Sequence, residues 1–319
     1  MNIVILDGHA LNPGDLSWDC LKQFGTVTVY DRTPDRTTAI SRIRQADIIT
    51  TNKVPIDAFM MDTCPSVKLI CCLSTGYNVV DIAAAKERGI PVCNVPAYST
   101  EAVAQFTIGL LLELCHRIGH HDHAVHQGRW ASHPDFCFWD TPQMELAGKT
   151  IGIIGFGRIG QTVGKIANAL GMNVLAFSRT KKLEAATIRQ YVELDTLLTQ
   201  SDVISLHCPL FPETENLINA TAIAKMKDGA ILLNTARGPI IDEAAVADAL
   251  RIGKLRGAAM DVVSVEPIDP RNPLLTAPNC IITPHMAWSP LETRQRILDT
   301  TVKSICGFLA GAPVNVVNP

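Results

Sequence analysis

Three ionisable residues, Arg237, Asp261 and His285, each follow a short apolar run that predicts a buried strand, and Glu266 comes shortly after Asp261. An arginine can bind a carboxylate through two parallel hydrogen bonds. A histidine can donate or accept a proton near neutral pH, and a glutamate beside it can fix the imidazole tautomer. These residue types therefore suit acid–base chemistry on a carbonyl group next to a carboxylate.

A glycine-rich segment, GFGRIG at 155–160, follows the apolar run 151–154 and opens a helical stretch that leads to a second apolar run. Gly155 allows a tight turn, Gly157 lets a pyrophosphate approach the backbone, and Gly160 lets the helix pack on the strand. The helix also offers unpaired N–H groups to an anion. The pattern predicts a dinucleotide site, with a purely structural turn as the alternative.

The carboxyl ends of parallel strands meet at one edge of a sheet, where ligands of open α/β sheets bind. We therefore expect the ionisable side chains and the glycine segment to share one crevice, which predicts hydride transfer to or from a carboxylate substrate. Arg237 would bind the carboxylate, His285 would exchange a proton with the substrate oxygen, and Glu266 would orient His285. Asp261 would either accept a hydrogen bond from the nicotinamide carboxamide or cap a turn.

The residues after the second apolar run bear on which dinucleotide is bound. An acidic residue there would hold the ribose 2′-hydroxyl of NAD. The sequence instead has Ser178 and Arg179, followed by Lys181 and Lys182. These groups suit a 2′-phosphate, so the sequence favours NADP(H), with NAD(H) possible because arginine can also stack on adenine. A solvated basic loop is the other interpretation.

The composition of the 319 residues excludes several classes of protein. With 47% hydrophobic residues, 18% charged residues and a net charge of −3, the chain is predicted to fold as two domains without a basic nucleic-acid-binding surface. No apolar run approaches the ~18 residues of a membrane span, and the first ten residues do not have the pattern of a signal peptide. The ten scattered cysteines indicate a reducing, cytoplasmic environment.

Strand and helix patterns alternate along the whole chain, and the strands of the first 98 residues are continuously apolar. This predicts α/β architecture with doubly wound parallel sheets. Within the first part we expect a helix at 16–24 and a strand at 27–30. Ser74, Thr75 and Gly76 would form a loop beyond the run 69–73, with backbone N–H groups available to a ligand. A long apolar helix, 98–116, would connect the two halves.

Two clusters allow more than one interpretation. Histidines crowd the end of the long helix at spacings that could place two imidazoles on one face: His116, His120, His121, His123 and His126. Because Asp122 is their only acidic or cysteine companion, a polar helix end is favoured and no metal site is predicted. The aromatic segment 135–139 is expected to pack in the core rather than to contact substrate.

With these residues in place, the chain resembles the D-isomer-specific 2-hydroxyacid dehydrogenases over nearly its full length. The matching motifs are GFGRIG at 155–160, NTARG at 234–238, the segment 261–267 and PHMAW at 284–288. Within that family it is most similar to the glycerate dehydrogenase and hydroxypyruvate reductase group, through LDGHALNPGDLSW and FCFWDTP. It departs from many members at Ser178-Arg179, where they carry an acidic residue.

The resemblance implies two domains, a flavodoxin-like substrate-binding domain of residues 1–98 and 289–319 and a Rossmann dinucleotide-binding domain of residues 99–288. It implies reduction of a small 2-oxo acid such as hydroxypyruvate or glyoxylate to the D-2-hydroxy acid, or the reverse, by a homodimer. The implied catalytic residues are Arg237, Glu266 and His285, and the implied substrate contacts are Ser74, Thr75, Gly76, Arg237 and His285. The expected cofactor contacts include Gly155, Gly157, Gly160, Ser178 and Arg179. The others are Thr75, Arg158, Ile159, Cys208, Thr235, Ala236, Arg237, Asp261 and His285.

Two other functions compete with this one. A D-lactate or aromatic 2-oxo acid reductase would use the same scaffold and the same three catalytic residues. An NAD(P)-sensing binding protein, similar to transcriptional corepressors that resemble the family, belongs to a different class and could retain those residues. The short N-terminus and the lack of a tail for partner docking favour an enzyme.

Overall fold

A computed structural model describes residues 1–179 and 190–319. Lys181 and Lys182, expected beside a 2′-phosphate, lie outside the described residues. The chain divides into two units: unit 1 comprises Met1–Ser99 and Trp288–Pro319, and unit 2 comprises Thr100–Ala287. Each unit contains one sheet.

Unit 1 contains a five-stranded parallel sheet with the strand order β2-β1-β3-β4-β5, which is the flavodoxin-like order. The strands are β1 (Asn2–Ile5), β2 (Thr26–Val29), β3 (Ile48–Thr51), β4 (Leu69–Cys72) and β5 (Val92–Cys93). The helices are α1 (Asp19–Lys22), α2 (Arg36–Ile43), α3 (Ala58–Thr63), α4 (Ile82–Glu87) and, after the chain returns from unit 2, α11 (Leu291–Leu309).

Aspartates fix the starts of three consecutive helices in unit 1. The side chains of Asp35, Asp57 and Asp81 accept hydrogen bonds from backbone N–H groups in the first turns of α2, α3 and α4, at 2.8, 3.0 and 2.9 Å. Each satisfies a donor that has no partner within the helix. The strands β3 and β4 between these helices are buried along their whole length, as continuously apolar runs predict.

Two expectations for unit 1 were wrong in detail. The helix expected at 16–24 forms only over α1, because the Asn12 side chain holds a preceding turn by accepting from the N–H groups of Gly14 and Leu16 at 3.0 Å. The strand β2 is not apolar throughout. Its residues, TVTV, are mostly exposed because β2 lies at the edge of the sheet.

Unit 2 contains a seven-stranded parallel sheet with the order β12-β11-β10-β9-β6-β7-β8. The strands are β6 (Thr150–Ile154), β7 (Asn173–Phe177), β8 (Gln190–Tyr191), β9 (Val203–Leu206), β10 (Ala230–Asn234), β11 (Leu255–Met260) and β12 (Cys280–Ile282). The chain proceeds from β6 to one side and then restarts at β9 on the other, so the topological switch point lies between β6 and β9. The predicted α/β class with two doubly wound parallel sheets is confirmed.

Helices cover both faces of the sheet in unit 2. They are α5 (Thr100–His116), α7 (Arg158–Ala169), α8 (Leu194–Gln200), α9 (Ala220–Lys225) and α10 (Glu243–Arg251). A further helix, α6 (Ile118–His126), follows α5 and is mostly exposed. One core joins α5 and α7 to the sheet through residues such as Leu111, Val163 and Ile153. The opposite core joins α8, α9 and α10 to the sheet through Leu197, Ile223 and similar residues. Among the described helices, none reaches both the length and the mean hydropathy that a membrane crossing requires.

The aromatic segment 135–139 does not pack in the core, contrary to expectation. Phe136 is 88% exposed and Trp139 is 64% exposed. The segment lies outside any helix or strand, and Phe138 stacks on His133 and under the Arg129 guanidinium instead of on the sheet. Apolar content therefore did not indicate burial in this segment.

The histidines near α6 mostly hold the same region together. His120 Nε2 lies 2.6 Å from Asp140 Oδ2, and His116 Nδ1 lies 2.9 Å from Gln143 Oε1. Arg129 also binds Asp140, which lowers the pKa of that carboxyl well below its usual range. In the part of the chain that the structure describes, no group of three or more His, Cys, Asp or Glu could hold a metal ion.

The glycines of β6 and of the turn after it should respond differently to alanine. A Cβ at Gly152 would lie 2.3 Å from Ser201 Oγ and 2.5 Å from Leu197 Cδ2, whereas a Cβ at Gly157 would meet no atom within 4 Å. We expect Gly152→Ala to lower the free energy of unfolding by ~1–3 kcal/mol through overpacking. Gly157→Ala should change it by less than ~0.5 kcal/mol. Urea denaturation tests both variants, and equal losses would contradict the packing described for β6.

Candidate active site

The glycine segment after β6 forms a cradle whose shape is set by close backbone contacts. Gly155 has a φ of 93°, and a Cβ there would lie 2.4 Å from the backbone nitrogen of Cys208. A Cβ at Gly160 would lie 2.3 Å from the Gly155 oxygen, but the space beside Gly157 is open. Gly157 is also the N-cap of α7 and makes no side-chain cap, which leaves the first N–H groups of the helix available. The cradle therefore fits the pyrophosphate of a dinucleotide.

The expected cofactor residues around this cradle lie on the segments that follow β6 and its two neighbours. Arg158 and Ile159 form the first turn of α7, the former exposed and the latter half-buried. Cys208 follows β9 and is buried, and burial raises the pKa of its thiol, so that thiol stays protonated near neutral pH. Ser178 and Arg179 follow β7, where Ser178 is half-buried and Arg179 is exposed.

Arg237 lies in a turn that a buried asparagine holds in place. Asn234, the last residue of β10, accepts from the Ala236 N–H at 3.0 Å and donates to the Arg237 oxygen at 2.9 Å. The Thr235 hydroxyl is hydrogen-bonded to that of Thr107 at 2.9 Å. The Arg237 guanidinium is exposed and gives one donor to the Ala236 oxygen at 2.6 Å. Its remaining donors can bind a planar carboxylate.

Gly238 connects this turn to the segment that carries Glu266. A Cβ at Gly238 would lie 1.9 Å from the backbone carbon of Val263, so a side chain cannot fit there. Glu243, at the start of α10, holds the same segment by accepting from the Ser264 N–H at 2.8 Å and from Asn272 Nδ2 at 2.9 Å. These contacts hold the chain on both sides of Glu266.

His285 and Glu266 form a direct pair, with 2.7 Å between His285 Nδ1 and Glu266 Oε2. Each side chain is 33% exposed, so a ligand can reach the pair. A carboxylate at Nδ1 favours the tautomer with its proton there and leaves Nε2 for exchange with a substrate. His285 also has a φ of 51°, a left-handed conformation that costs of order 1–2 kcal/mol for a residue other than glycine.

Asp261 holds His285 in this conformation. Its carboxylate, only 1% exposed, accepts from the Thr283 hydroxyl at 2.7 Å and from the N–H groups of Met286 and Ala287 at 2.8 and 2.9 Å. The Asp261 backbone oxygen accepts from the His285 N–H at 2.8 Å. Burial raises the pKa of this carboxyl, although the hydrogen bonds oppose the rise. Asp261 therefore caps this turn, which is one of its two expected roles.

The remaining expected substrate contacts lie in unit 1, where Ser74, Thr75 and Gly76 follow β4. Thr75 donates to the Val95 oxygen at 2.8 Å, and Asn94 donates to the Thr75 oxygen at 2.8 Å. Within the described residues, no acceptor takes up the N–H groups of Thr75 and Gly76. The loop is therefore fixed from its carbonyl side and keeps donors for an anion.

Several residues that shape the site escaped the sequence analysis. Gly238, Glu243 and Thr283 act through contacts with segments far away in the chain, whereas Asn234 bonds to the turn that directly follows it. The polar residue that ends a buried strand was the one signal for Asn234. His207, after β9, was also missed. Its Nε2 lies 2.8 Å from Ser205 Oγ, its buried Nδ1 has no partner among the described residues, and burial lowers its pKa to about 3.

The switch-point cradle, together with an arginine and a histidine–carboxylate pair on the same edge of the sheet, defines a dinucleotide-dependent oxidoreductase. A family model described as "D-isomer specific 2-hydroxyacid dehydrogenase, NAD binding domain" matches residues 108–287. A hydroxypyruvate reductase of Blautia hydrogenotrophica is 58% identical over 100% of both chains. A glycerate dehydrogenase of Methylorubrum extorquens is 43% identical over 90% of both chains.

Solved structures show the same similarity over nearly the whole chain. The TT0316 protein of Thermus thermophilus has a TM-score of 0.85 at 39% identity, covering 99% of this chain and 100% of that one. An acyclic imino acid reductase (Bsp5) in complex with NADPH and D-Arg has a TM-score of 0.83 at 32% identity and the same coverage. A D-lactate dehydrogenase of Aquifex aeolicus complexed with NAD and lactic acid has a TM-score of 0.84 at 29% identity, covering 100% of this chain and 99% of that one.

The chain therefore belongs to the D-isomer-specific 2-hydroxyacid dehydrogenase family. It is an enzyme that uses a nicotinamide cofactor to interconvert a 2-oxo acid and the D-2-hydroxy acid. The expected family, enzyme class and nicotinamide cofactor are confirmed.

Replacing Asp261 should impair catalysis indirectly, because this carboxylate holds the turn of His285. In Asp261→Asn, only one side-chain oxygen remains as an acceptor. With the amide nitrogen in place of Oδ2, a donor would face the Ala287 N–H, and the turn would lose a bond worth about 1–3 kcal/mol when left unmade. We expect kcat to fall about ten-fold or more. Thr283→Val, which removes a single bond to the same carboxylate, should have a smaller effect. A folded Asp261→Asn variant with wild-type kcat would contradict the role given to this carboxylate.

Because His207 is buried, we expect the stability of the protein to depend on pH in a specific way. The unfolded chain protonates this histidine below pH ~6.5, but the folded chain keeps it neutral until its pKa of about 3. The contribution of His207 to the free energy of unfolding is therefore fully present above pH ~6.5. It falls by up to ~1.4 kcal/mol per pH unit as the pH drops from ~6.5 towards the folded-state pKa of about 3. Between pH 7 and pH 5, the free energy of unfolding of His207→Gln should fall by about 2 kcal/mol less than that of the wild type. Urea denaturation at the two pH values measures this difference. The same loss in both proteins would disprove the burial of a neutral imidazole.

Proposed function

We propose that this enzyme reduces small 2-oxo acids, hydroxypyruvate and glyoxylate in particular, and works in reverse on D-glycerate. The observation that carries the proposal is the His285–Glu266 pair, 2.7 Å apart, on the same sheet edge as the cradle and Arg237. The names of the Blautia and Methylorubrum relatives support this substrate class.

In the proposed reaction, Arg237 binds the substrate carboxylate and thereby sets the position of the neighbouring carbonyl carbon. When bound, the reduced nicotinamide supplies the hydride that this carbon accepts. His285 gives the proton on Nε2 to the carbonyl oxygen, and Glu266 stabilises the cationic imidazole before that transfer. The N–H groups of Thr75 and Gly76 are proposed as additional donors to the substrate. In the reverse direction, His285 accepts the proton of the hydroxyl group.

We propose NADP(H) as the favoured cofactor, with NAD(H) also accepted. The support is the pair Ser178 and Arg179 after β7, where an acidic residue would serve NAD. The proposed cofactor contacts are those expected from the sequence: Thr75, Gly155, Gly157, Arg158, Ile159, Gly160, Cys208, Thr235, Ala236, Arg237, Asp261 and His285.

We assign dinucleotide binding to residues 99–288 and substrate binding to residues 1–98 and 289–319, as the sequence predicts. We further propose a homodimer. Exposed rings in the segment after α6 support it, because Trp130, Phe136 and Trp139 are 52%, 88% and 64% exposed. The free state of all ten cysteines supports a cytoplasmic location.

Initial rates with hydroxypyruvate, glyoxylate and pyruvate, each with NADPH and NADH, test the function. We expect the fastest oxidation with NADPH and hydroxypyruvate. His285→Ala should reduce kcat by about 10²–10⁴-fold because the general acid is lost, while NADPH binding persists. Arg237→Lys should mainly raise KM for the 2-oxo acid, since an ammonium cannot form the planar pair of bonds.

Near-wild-type turnover by His285→Ala would show that another group supplies the proton. Clear preference for pyruvate would instead indicate a D-lactate reductase, one of the alternative enzymes on the same scaffold. Negligible turnover with every pair, together with stable protein partners in a pull-down, would support the corepressor-like class instead.

A further inference from the structure

A contact between two side chains crosses the switch point of the sheet in unit 2. Arg179 follows β7 and Phe211 follows β9, and these are the two strands that flank β6. The Arg179 guanidinium carbon lies 5.3 Å from the centre of the Phe211 ring. Because β7 and β9 are separated by one strand, or about 9–10 Å, this contact spans the end of β6, where the glycine cradle begins.

Phe211 is held in a rigid turn although its side chain is partly exposed. Its N–H donates to the Thr214 hydroxyl at 2.8 Å, and that hydroxyl donates to the Pro209 oxygen at 2.8 Å. The Phe211 oxygen accepts from the N–H groups of Thr214 and Glu215 at 2.9 and 3.0 Å. The ring nevertheless remains 41% exposed. The ring is therefore held at the surface, where its face is available to the Arg179 guanidinium.

A contact with an aromatic ring would order the Arg179 side chain. Arg179 has no carboxylate partner among the described residues, and its side chain is long and exposed. An arginine that must first be ordered binds more weakly than one already held in place. An aromatic face can hold a guanidinium by a cation–π contact and still leave its N–H groups free in the plane.

We propose that Phe211 is a positioning residue that holds the Arg179 guanidinium over the switch point, ready to bind the ribose 2′-phosphate of NADP(H). Phe211 thereby contributes to the choice of NADP(H) over NAD(H). This inference rests on the proposed function, since it takes Arg179 as the residue that meets the 2′-phosphate.

Calorimetric titration of the full-length protein with NADPH and with NADH, without substrate, tests the inference. Phe211→Leu keeps an apolar side chain but removes the π face, so NADPH binding should weaken about two- to five-fold. NADH binding, which involves no 2′-phosphate, should change by less than that. Phe211→Tyr should retain the wild-type ratio of the two affinities.

Two further variants separate a positioning role from a general one. Leu210→Ala alters the neighbouring apolar side chain, which is 39% exposed, and should leave the affinity ratio unchanged. Arg179→Leu should abolish most of the preference for NADPH. In that background, adding Phe211→Leu should have no further effect on the ratio, because the group that Phe211 positions is already absent.

The outcomes distinguish this inference from the function on which it rests. Equal weakening of NADPH and NADH by Phe211→Leu would mean that the ring merely supports the adenine, and it would overturn the inference. An unchanged ratio in Phe211→Leu, or a further shift of the ratio in the Arg179→Leu background, would overturn it as well. An Arg179→Leu variant with the wild-type ratio would overturn the proposed NADP(H) preference together with the inference.

Discussion

Backbone meets backbone without an intervening side chain at three points along the carboxyl edge of the seven-stranded sheet. Gly155 lies against Cys208, Gly160 against the Gly155 oxygen, and Gly238 against Val263. The first two contacts shape the cradle for the dinucleotide, and the third joins the Arg237 turn to the segment that leads to Glu266. The site depends on these approaches, because a Cβ at any of them would displace a segment that carries a functional group.

The carboxylates around the candidate site have two different roles. Asp261 is buried and uses its oxygens to hold the turn of His285, and Glu243 holds the segment next to Glu266 in a similar way. Glu266 and His285 are each a third exposed and can take part in proton exchange. The enzyme thus keeps a histidine in a left-handed conformation by surrounding it with satisfied hydrogen bonds, which fixes where its proton can be delivered.

The sequence predicted the two parallel sheets, because runs of apolar residues are a local signal. It also predicted that Arg237, Asp261 and His285 each follow a strand of one sheet, as they do after β10, β11 and β12. It misjudged the segment around Phe136, since apolar content does not distinguish a core from an exposed surface. It also missed a helix boundary that the Asn12 side chain determines. The contacts of Gly238 and Glu243 could not be inferred, because each depends on a segment brought near only by folding.

Isotope transfer tests the central claim, that this edge of the sheet delivers a hydride to the C2 carbon of a 2-oxo acid. The enzyme would be incubated with hydroxypyruvate and NADPH deuterated at C4 on the transferred side, and the glycerate analysed by NMR and chiral chromatography. We predict D-glycerate that carries one deuterium at C2. Glycerate without deuterium at C2, or of the L configuration, would contradict it.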